Sequence, residues 1–407
     1  MPPYNAHEPV VISSAGVISS IGAGLEQFQA ALYEGASGIG PSEMFGPEAV
    51  TAEVRNFSPQ QWLGNKGLRI LDRSTRLLCV AAHMAISGSG LRADAPPEEF
   101  PEVGLVCGTL FGGLHSIASF DWSGLTDGPN YVSPMEFPNT VINSPAGQTA
   151  IRFRLRGGNS TVCGGMSAGL YAMHYAAEFL RMGRERMLLA GGVEELCEES
   201  LVGFRKIGAL SPSGMLRPFG ANHDGTVLGE GAVLHVVETA RAAQERGAKA
   251  WAEISGFGCA HDAHSINEYD ARAEGASWAI RQAMESAGVQ PEQIACIISG
   301  AAGNPSGDAV ELRALKNSFG KRLEEMPVCA PKAAFGETMG AGGAYLTLVA
   351  TMALEKQEIP PTANFSGAAN GLRLASTPQS VQGEYALVTA FSCDGNNAAL
   401  ILKAGGA

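Results

Sequence analysis

The chain has 407 residues, 45% of them apolar and 17% charged, with a net charge of −12 at neutral pH. That length allows two core-bearing units, and a charge content below the roughly 25% of ordinary soluble domains points to a large buried area. The acidic balance, with no basic stripe, argues against nucleic acid or an anionic membrane as partner.

The 52 glycines imply tight turns and close backbone contacts. Eight cysteines (Cys79, Cys107, Cys163, Cys197, Cys259, Cys296, Cys329 and Cys393) are scattered without a CxxC pair. They read as buried free thiols in a reducing compartment, not a disulfide frame or a zinc site. The first residues carry neither a basic n-region nor an apolar h-region, and no apolar run reaches membrane-spanning length, so the expected location is the cytoplasm.

In chain order, Val10-Val11-Ile12-Ser13 predicts a short buried strand, and Leu25, Phe28 and Leu32 give helical spacing between Gly24 and Gly35. Ser74 to Gly88 predicts a helix, and Val103 to Cys107 a strand ending at Gly108. The stretch Gly164-Gly165-Met166-Ser167-Ala168-Gly169-Leu170 follows an apolar run ending at Cys163 and opens a predicted helix reaching about Met182. A strand that turns through small residues into a helix presents one side chain at the helix N-terminus, where dipole and free amides favour negative charge. Here that side chain is Met166, a thioether with no proton to lose. Met187 to Gly192 predicts the next strand. Strands alternating with helices in this way imply an α/β layered architecture with sheets covered on both faces.

Met166 to Tyr171 is echoed by Met339 to Tyr345, each past a strand-like run and opening an apolar helix. The echo suggests a duplicated fold with its break near Glu238 to Lys249, giving halves 1–250 and 251–407, although two ordinary amphipathic helices would leave the same trace.

Longer strings carry a resemblance. Arg217-Pro218-Phe219 followed by His223-Asp224-Gly225-Thr226-Val227-Leu228-Gly229-Glu230-Gly231-Ala232 resembles the RPFDxxRDGFVxGEGAG signature of β-ketoacyl synthases. Gly203-Phe204, Ala209-Leu210-Ser211, Val132 through Gln148 and Ile359 through Asn364 are similar to that family's other punctuation, in the same order. The resemblance implies a thiolase fold, a duplicated five-layered αβαβα architecture. It also implies a chemistry, decarboxylative Claisen condensation, that needs one cysteine and two histidines.

The resemblance places Met166 at the nucleophile position, seven residues after Asn159 of the Gly157-Gly158-Asn159 turn. Cys163, three residues short, reads as a buried small hydrophobe. The first histidine position is Gly300, in a string that keeps Asp308 and Glu311; the second is Glu337, in a string that keeps Lys332. The gate loop GFGGTN corresponds to Ser392-Cys393-Asp394-Gly395-Asn396-Asn397, with Cys393 at the gating aromatic. A carboxylate at Glu337 would oppose a developing oxyanion. Lys332, Glu337, Asp308 and Glu311 are expected to form one ion-pair network that neutralises Lys332. His261 and His264 fall in a loop segment of the family, and no metal or cofactor is expected.

A ketosynthase-like chain without its nucleophile and histidines resembles the chain length factor of type II polyketide synthases; Leu71 to Leu77 and Ala168-Gly169-Leu170 are similar to strings of that subfamily. The resemblance implies a heterodimer with an active ketosynthase whose acyl tunnel this chain shapes. Acidic acyl carrier protein would then dock mainly through the partner, because this chain is itself acidic. Phe111, Leu114, Ile117, Phe120, Met135 and Phe137 correspond to tunnel and interface segments. The alternatives are a malonyl-carrier-protein decarboxylase supplying an acetyl primer, against which the loss of both histidines weighs, and a binding module outside acyl chemistry.

Overall fold

The computed structural model describes residues 5, 8–91, 102–365, 369, 371–374 and 376–406. The elements that frame the site are β1 (Val10–Ser19), α1 (Leu25–Tyr33), α2 (Arg73–Gly88), β2 (Gly104–Gly108), α3 (Leu114–Thr126), α4 (Ser144–Phe153), β3 (Asn159–Val162), α5 (Ala168–Arg181), β4 (Met187–Glu194), α6 (Glu198–Lys206) and β5 (Gly231–Thr239). They continue with β6 (Ala252–His261), α7 (Glu274–Ala287), β7 (Ile294–Ile298), α8 (Pro305–Phe319), β8 (Val328–Cys329), α9 (Gly342–Lys356), β9 (Tyr385–Phe391) and β10 (Asn396–Ala404).

The sheet runs β8-β7-β9-β10-β6-β1-β5-β4-β2-β3. It contains one pattern twice. In the first half, β2 pairs parallel with β3 and with β4, and β5 pairs antiparallel with β4 and β1. In the second, β7 pairs parallel with β8 and β9, and β10 pairs antiparallel with β9 and β6. The halves meet where Val11 and Ile12 of β1 pair with Glu253 and Ala252 of β6.

Three of the four apolar clusters among the described residues fill the spaces between five layers. Helix α2 packs on one sheet face through Leu77, Leu78, Ala81 and Ala85, and α7 with α8 cover the other half-sheet through Ala279, Ile280, Ala314 and Leu315. Between the half-sheets lie α5 and α9, sharing the largest cluster. This is the thiolase-fold arrangement of a duplicated α/β chain. Glycine lets the two central helices touch: a Cβ on Gly343 would lie 2.4 Å from the Leu170 nitrogen, and one on Gly169 would lie 2.6 Å from the Ala344 nitrogen. Side chains of ordinary size would hold the axes 8–10 Å apart.

Helix α2 follows its predicted span closely, because the Asp72 side chain accepts the Thr75 N–H at 2.8 Å and caps it. Strand β1 runs six residues past its predicted end at Ser13. Beyond Ser13, α2 presses on Ser14 and Gly16. The Ser14 hydroxyl donates to the Ala85 carbonyl at 3.0 Å, and a Cβ on Gly16 would meet the Ala81 oxygen at 2.1 Å. Among the described residues, no helix is long and apolar enough to cross a membrane.

Candidate functional site

Strand β3 ends at Val162, and Gly165 turns the chain with φ +61° before Met166, Ser167 and the first turn of α5. The turn is anchored from the other half of the sheet. The Met166 N–H donates to Ser392 Oγ at 3.2 Å, and the Ser167 hydroxyl lies 2.9 Å from the carbonyl oxygens of both Ala390 and Asn396. The half-buried Met166 side chain lines a cavity of about 770 Å³. Phe111, Leu114, Phe204, Tyr269, Glu337 and Cys393 form much of the remaining wall.

Glu337 is held by backbone on both sides: its N–H donates to the Val227 carbonyl at 2.8 Å, and its carbonyl accepts from Gly229 N–H at 2.9 Å. Its carboxylate is almost wholly buried. Oε2 accepts from Lys332 Nζ at 2.7 Å, and Oε1 accepts from Met339 N–H at 2.8 Å. Lys332 is equally buried, so the two charges neutralise each other in a dry setting. The four-membered network expected from the sequence is divided. Asp308 takes the Phe219 N–H at 2.7 Å and pairs with His223 Nδ1 at 2.8 Å, which raises the imidazole's pKa. Glu311 accepts from Ser299 and Thr389 hydroxyls, 2.6 Å each, and burial pushes its carboxyl up to about 7. The division follows from position: α8 projects Asp308 toward the 217–223 loop and Glu311 toward the ends of β7 and β9.

Gly300 does not line the cavity. A Cβ there would lie 2.5 Å from the Thr389 carbonyl oxygen, so neighbouring backbone fills the space a side chain would need. Cys393 is half-buried in the wall, and burial raises its thiol pKa. The cysteines are not uniformly buried as expected: Cys163 is exposed, because it lies at the turn where β3 leaves the sheet, and Cys259 and Cys393 are half-buried.

Of the six residues assigned to tunnel and interface, Phe111 and Leu114 line the cavity. The backbone of the 109–111 segment is pinned by Glu194, a fully buried carboxylate that accepts from the N–H groups of Leu110 (2.6 Å), Phe111 (3.0 Å) and Gly340 (3.0 Å). Burial pushes Glu194 up to about 7. Ile117 and Phe120 are half-buried on α3, while Met135 and Phe137 are exposed. The Phe137 ring packs on Phe120 with centroids 5.9 Å apart. Trp122, Leu125 and Tyr131, in the same stretch of chain as Met135 and Phe137, are also exposed.

Sequence reasoning missed Ser392, Asp394 and Tyr269 as site residues. The first two carried a signal, since each stands where the GFGGTN string has glycine. Tyr269 gave none: burial and the facing carboxylates of Glu337, Asp308 and Glu311 raise its phenol pKa well above the usual value. At the elbow the arrangement offers a thioether and an ion-paired carboxylate, with no nucleophile aimed into the cavity from α5. Its mixed, largely apolar wall suits an apolar molecule; covalent capture at Met166 does not fit it.

Two family descriptions match in tandem: the beta-ketoacyl synthase N-terminal domain over residues 7–243 and the C-terminal domain over residues 251–366. A 3-oxoacyl-(acyl-carrier-protein) synthase 2 from Coxiella burnetii is 31% identical, with 97% of this chain and 98% of that protein covered. The solved structure of the ishigamide ketosynthase/chain length factor superposes with a TM-score of 0.90 at 30% identity, covering 98% of this chain and 100% of that one. A beta-ketoacyl synthase from Burkholderia phymatum superposes with a TM-score of 0.87 at 25% identity, covering 98% and 99%. The chain belongs to the beta-ketoacyl synthase family.

Proposed function

We propose that this chain is a chain length factor: a non-condensing subunit that pairs with an active ketosynthase and shapes the tunnel receiving the growing polyketide or polyene. The observation that carries the reading is the elbow itself. A ketosynthase fold presents Met166 to a 770 Å³ cavity, and the buried Lys332–Glu337 pair occupies the side from which an oxyanion would need support. The curated relatives named as synthases and the similar ketosynthase/chain length factor structure support a place in acyl-chain elongation.

On this reading Met166, Gly300 and Glu337 stand where the condensing subunit has its nucleophile and histidines, Lys332 is retained for structure, and Cys393 replaces the gate. Phe111, Leu114, Ile117 and Phe120 limit tunnel depth. The stretch around Met135 and Phe137 is where the ketosynthase partner sits, since it concentrates large exposed apolar side chains, as an interaction site does. Carrier protein engages mainly through that partner, no cofactor is used, and the complex works in the cytoplasm. The thiolase-like halves divide at residue 250.

Co-expression with a ketosynthase from the same source tests this. The expected product is a soluble one-to-one complex whose polyketide output requires both chains. Stable homodimers that ignore every ketosynthase and themselves release carbon dioxide from malonyl-carrier protein would instead identify a decarboxylase.

A further inference from the structure

The loop joining β9 to β10 is folded against the elbow that carries Met166. Its own turn is closed by backbone bonds from Ser392 N–H to the Asn396 carbonyl and from Gly395 N–H to the Ser392 carbonyl, 3.0 Å each. That leaves the Ser392 hydroxyl free to accept the Met166 N–H at 3.2 Å. Asp394 accepts from the backbone N–H of Asn396 at 3.1 Å and from its side-chain amide at 3.0 Å. These bonds aim the carboxylate at the turn: a Cβ on Gly165 would lie 2.2 Å from Asp394 Oδ2 and 2.7 Å from Ser392 Oγ.

A helix N-terminus attracts negative charge through its unpaired amides and its dipole. An amide at such an elbow is also the donor that would stabilise the oxyanion of a thioester under attack. In this chain both attractions are satisfied internally. Ser392 takes the amide, and the Asp394 carboxylate lies against the positive end of α5, where it would also disfavour a neighbouring thiolate.

We infer that Ser392 and Asp394 close this elbow to acyl thioesters, independently of which side chain stands at position 166. The inference rests on the reading of this chain as a non-condensing subunit and assigns part of that silence to two residues beyond Met166, Gly300 and Glu337. It predicts that restoring a nucleophile does not by itself restore acylation. The step at issue is thioester exchange. A thiolate installed at position 166 attacks the acyl carbonyl carbon, a new carbon–sulfur bond forms as the old one breaks, and the departing thiolate takes up the proton released by the attacking thiol.

The test uses the full chain as M166C, M166C/S392A and M166C/S392A/D394N, each incubated with butyryl-N-acetylcysteamine and read by peptide mass at position 166. Alkylation of the same peptide by iodoacetamide reports that the thiol is present and reachable. M166C is expected to alkylate readily and acylate slowly. Adding S392A and D394N should raise the acylation rate at least about tenfold, within the range one oxyanion donor supplies, without a matching change in alkylation. M166C/S392A keeps the loop's backbone bonds and is expected to show a several-fold rise even if the triple variant fails to fold. Acylation of M166C at the same rate as both other variants overturns the role of Ser392 and Asp394. Release of carbon dioxide from malonyl-N-acetylcysteamine by the wild-type chain is a separate result and overturns the chain-length-factor reading instead, in favour of a decarboxylase.

Discussion

The two halves build the same strand order and the same strand-to-helix elbow, yet the elbows have opposite fates. In the first half, Met166 is half-buried and faces a cavity. In the second, Met339 is fully buried at φ +47°, its N–H is taken by Glu337, and the next N–H, from Gly340, is taken by Glu194. Helix α9 is buried from Gly342 through Leu354, whereas α5 leaves Tyr175 exposed. Duplication has preserved backbone geometry, while the chemistry is decided by a few side chains at one elbow. The sealed half serves as a platform for the open one.

The largest effect that would break this comparison is expected on the sealed side. Glu337→Ala leaves the Lys332 ammonium buried without its partner and should cost about 3–5 kcal/mol in denaturant unfolding. Met166→Ala, at a half-exposed position, should cost clearly less. The paired replacement K332M/E337L should recover most of the loss, because an apolar pair carries no desolvation penalty. Equal losses from Glu337→Ala and Met166→Ala would mean that the second elbow is not the platform.

A second contrast lies in the fifth residue of β5 and of β10, which is His235 in one half and Leu400 in the other. His235 is fully buried, with Nδ1 at 3.2 Å from the Ala190 carbonyl and Nε2 without a partner, and burial lowers its pKa to about 4. The unfolded chain binds this proton near pH 6.5, so stability should fall as pH drops from there toward 4, by on the order of 3 kcal/mol in total. His235→Leu should flatten that part of the pH–stability curve, and an unchanged slope would contradict the assignment.

At the crossing of α5 and α9, Gly169→Ala and Gly343→Ala should each cost about 1–3 kcal/mol, since the helices meet backbone to backbone. Similar costs would sharpen the symmetry of the two elbows; a large difference would show one helix yielding to the other. The smallest energetic effects belong to the cavity wall. Phe111→Ala or Leu114→Ala there, and Phe120→Ala farther along α3, should lengthen the product of the ketosynthase complex, read by mass spectrometry, with synthesis retained. Met135→Ala, in the exposed stretch, should instead weaken the complex.

Much of the fold was legible because its signals are local: apolar runs in β2 and β4, the helical stretch from Ser74 to Gly88, and the Met166 and Met339 echo. The length of β1 was not, since Ser14 and Gly16 are small residues that fit the helix packed on them and break the apolar run that marks a buried strand. In the site, the string positions singled out Met166, Glu337 and Cys393, which share one cavity. The partners of Asp308 and Glu311 depend on the direction in which α8 projects them, and no spacing states that. Ser392 and Asp394 matter through a contact spanning more than half the chain, so their departure from glycine in the GFGGTN string was visible while the elbow they touch was not.

The central claim is that the fold is intact and the chemistry is absent. It is tested most directly by incubating the purified chain, alone and in one-to-one complex with its ketosynthase, with malonyl-carrier protein labelled in the free carboxylate. The account predicts no release of labelled carbon dioxide and no acyl adduct on this chain when it is alone, with sustained release once the partner is present. Sustained release by the chain alone would contradict it.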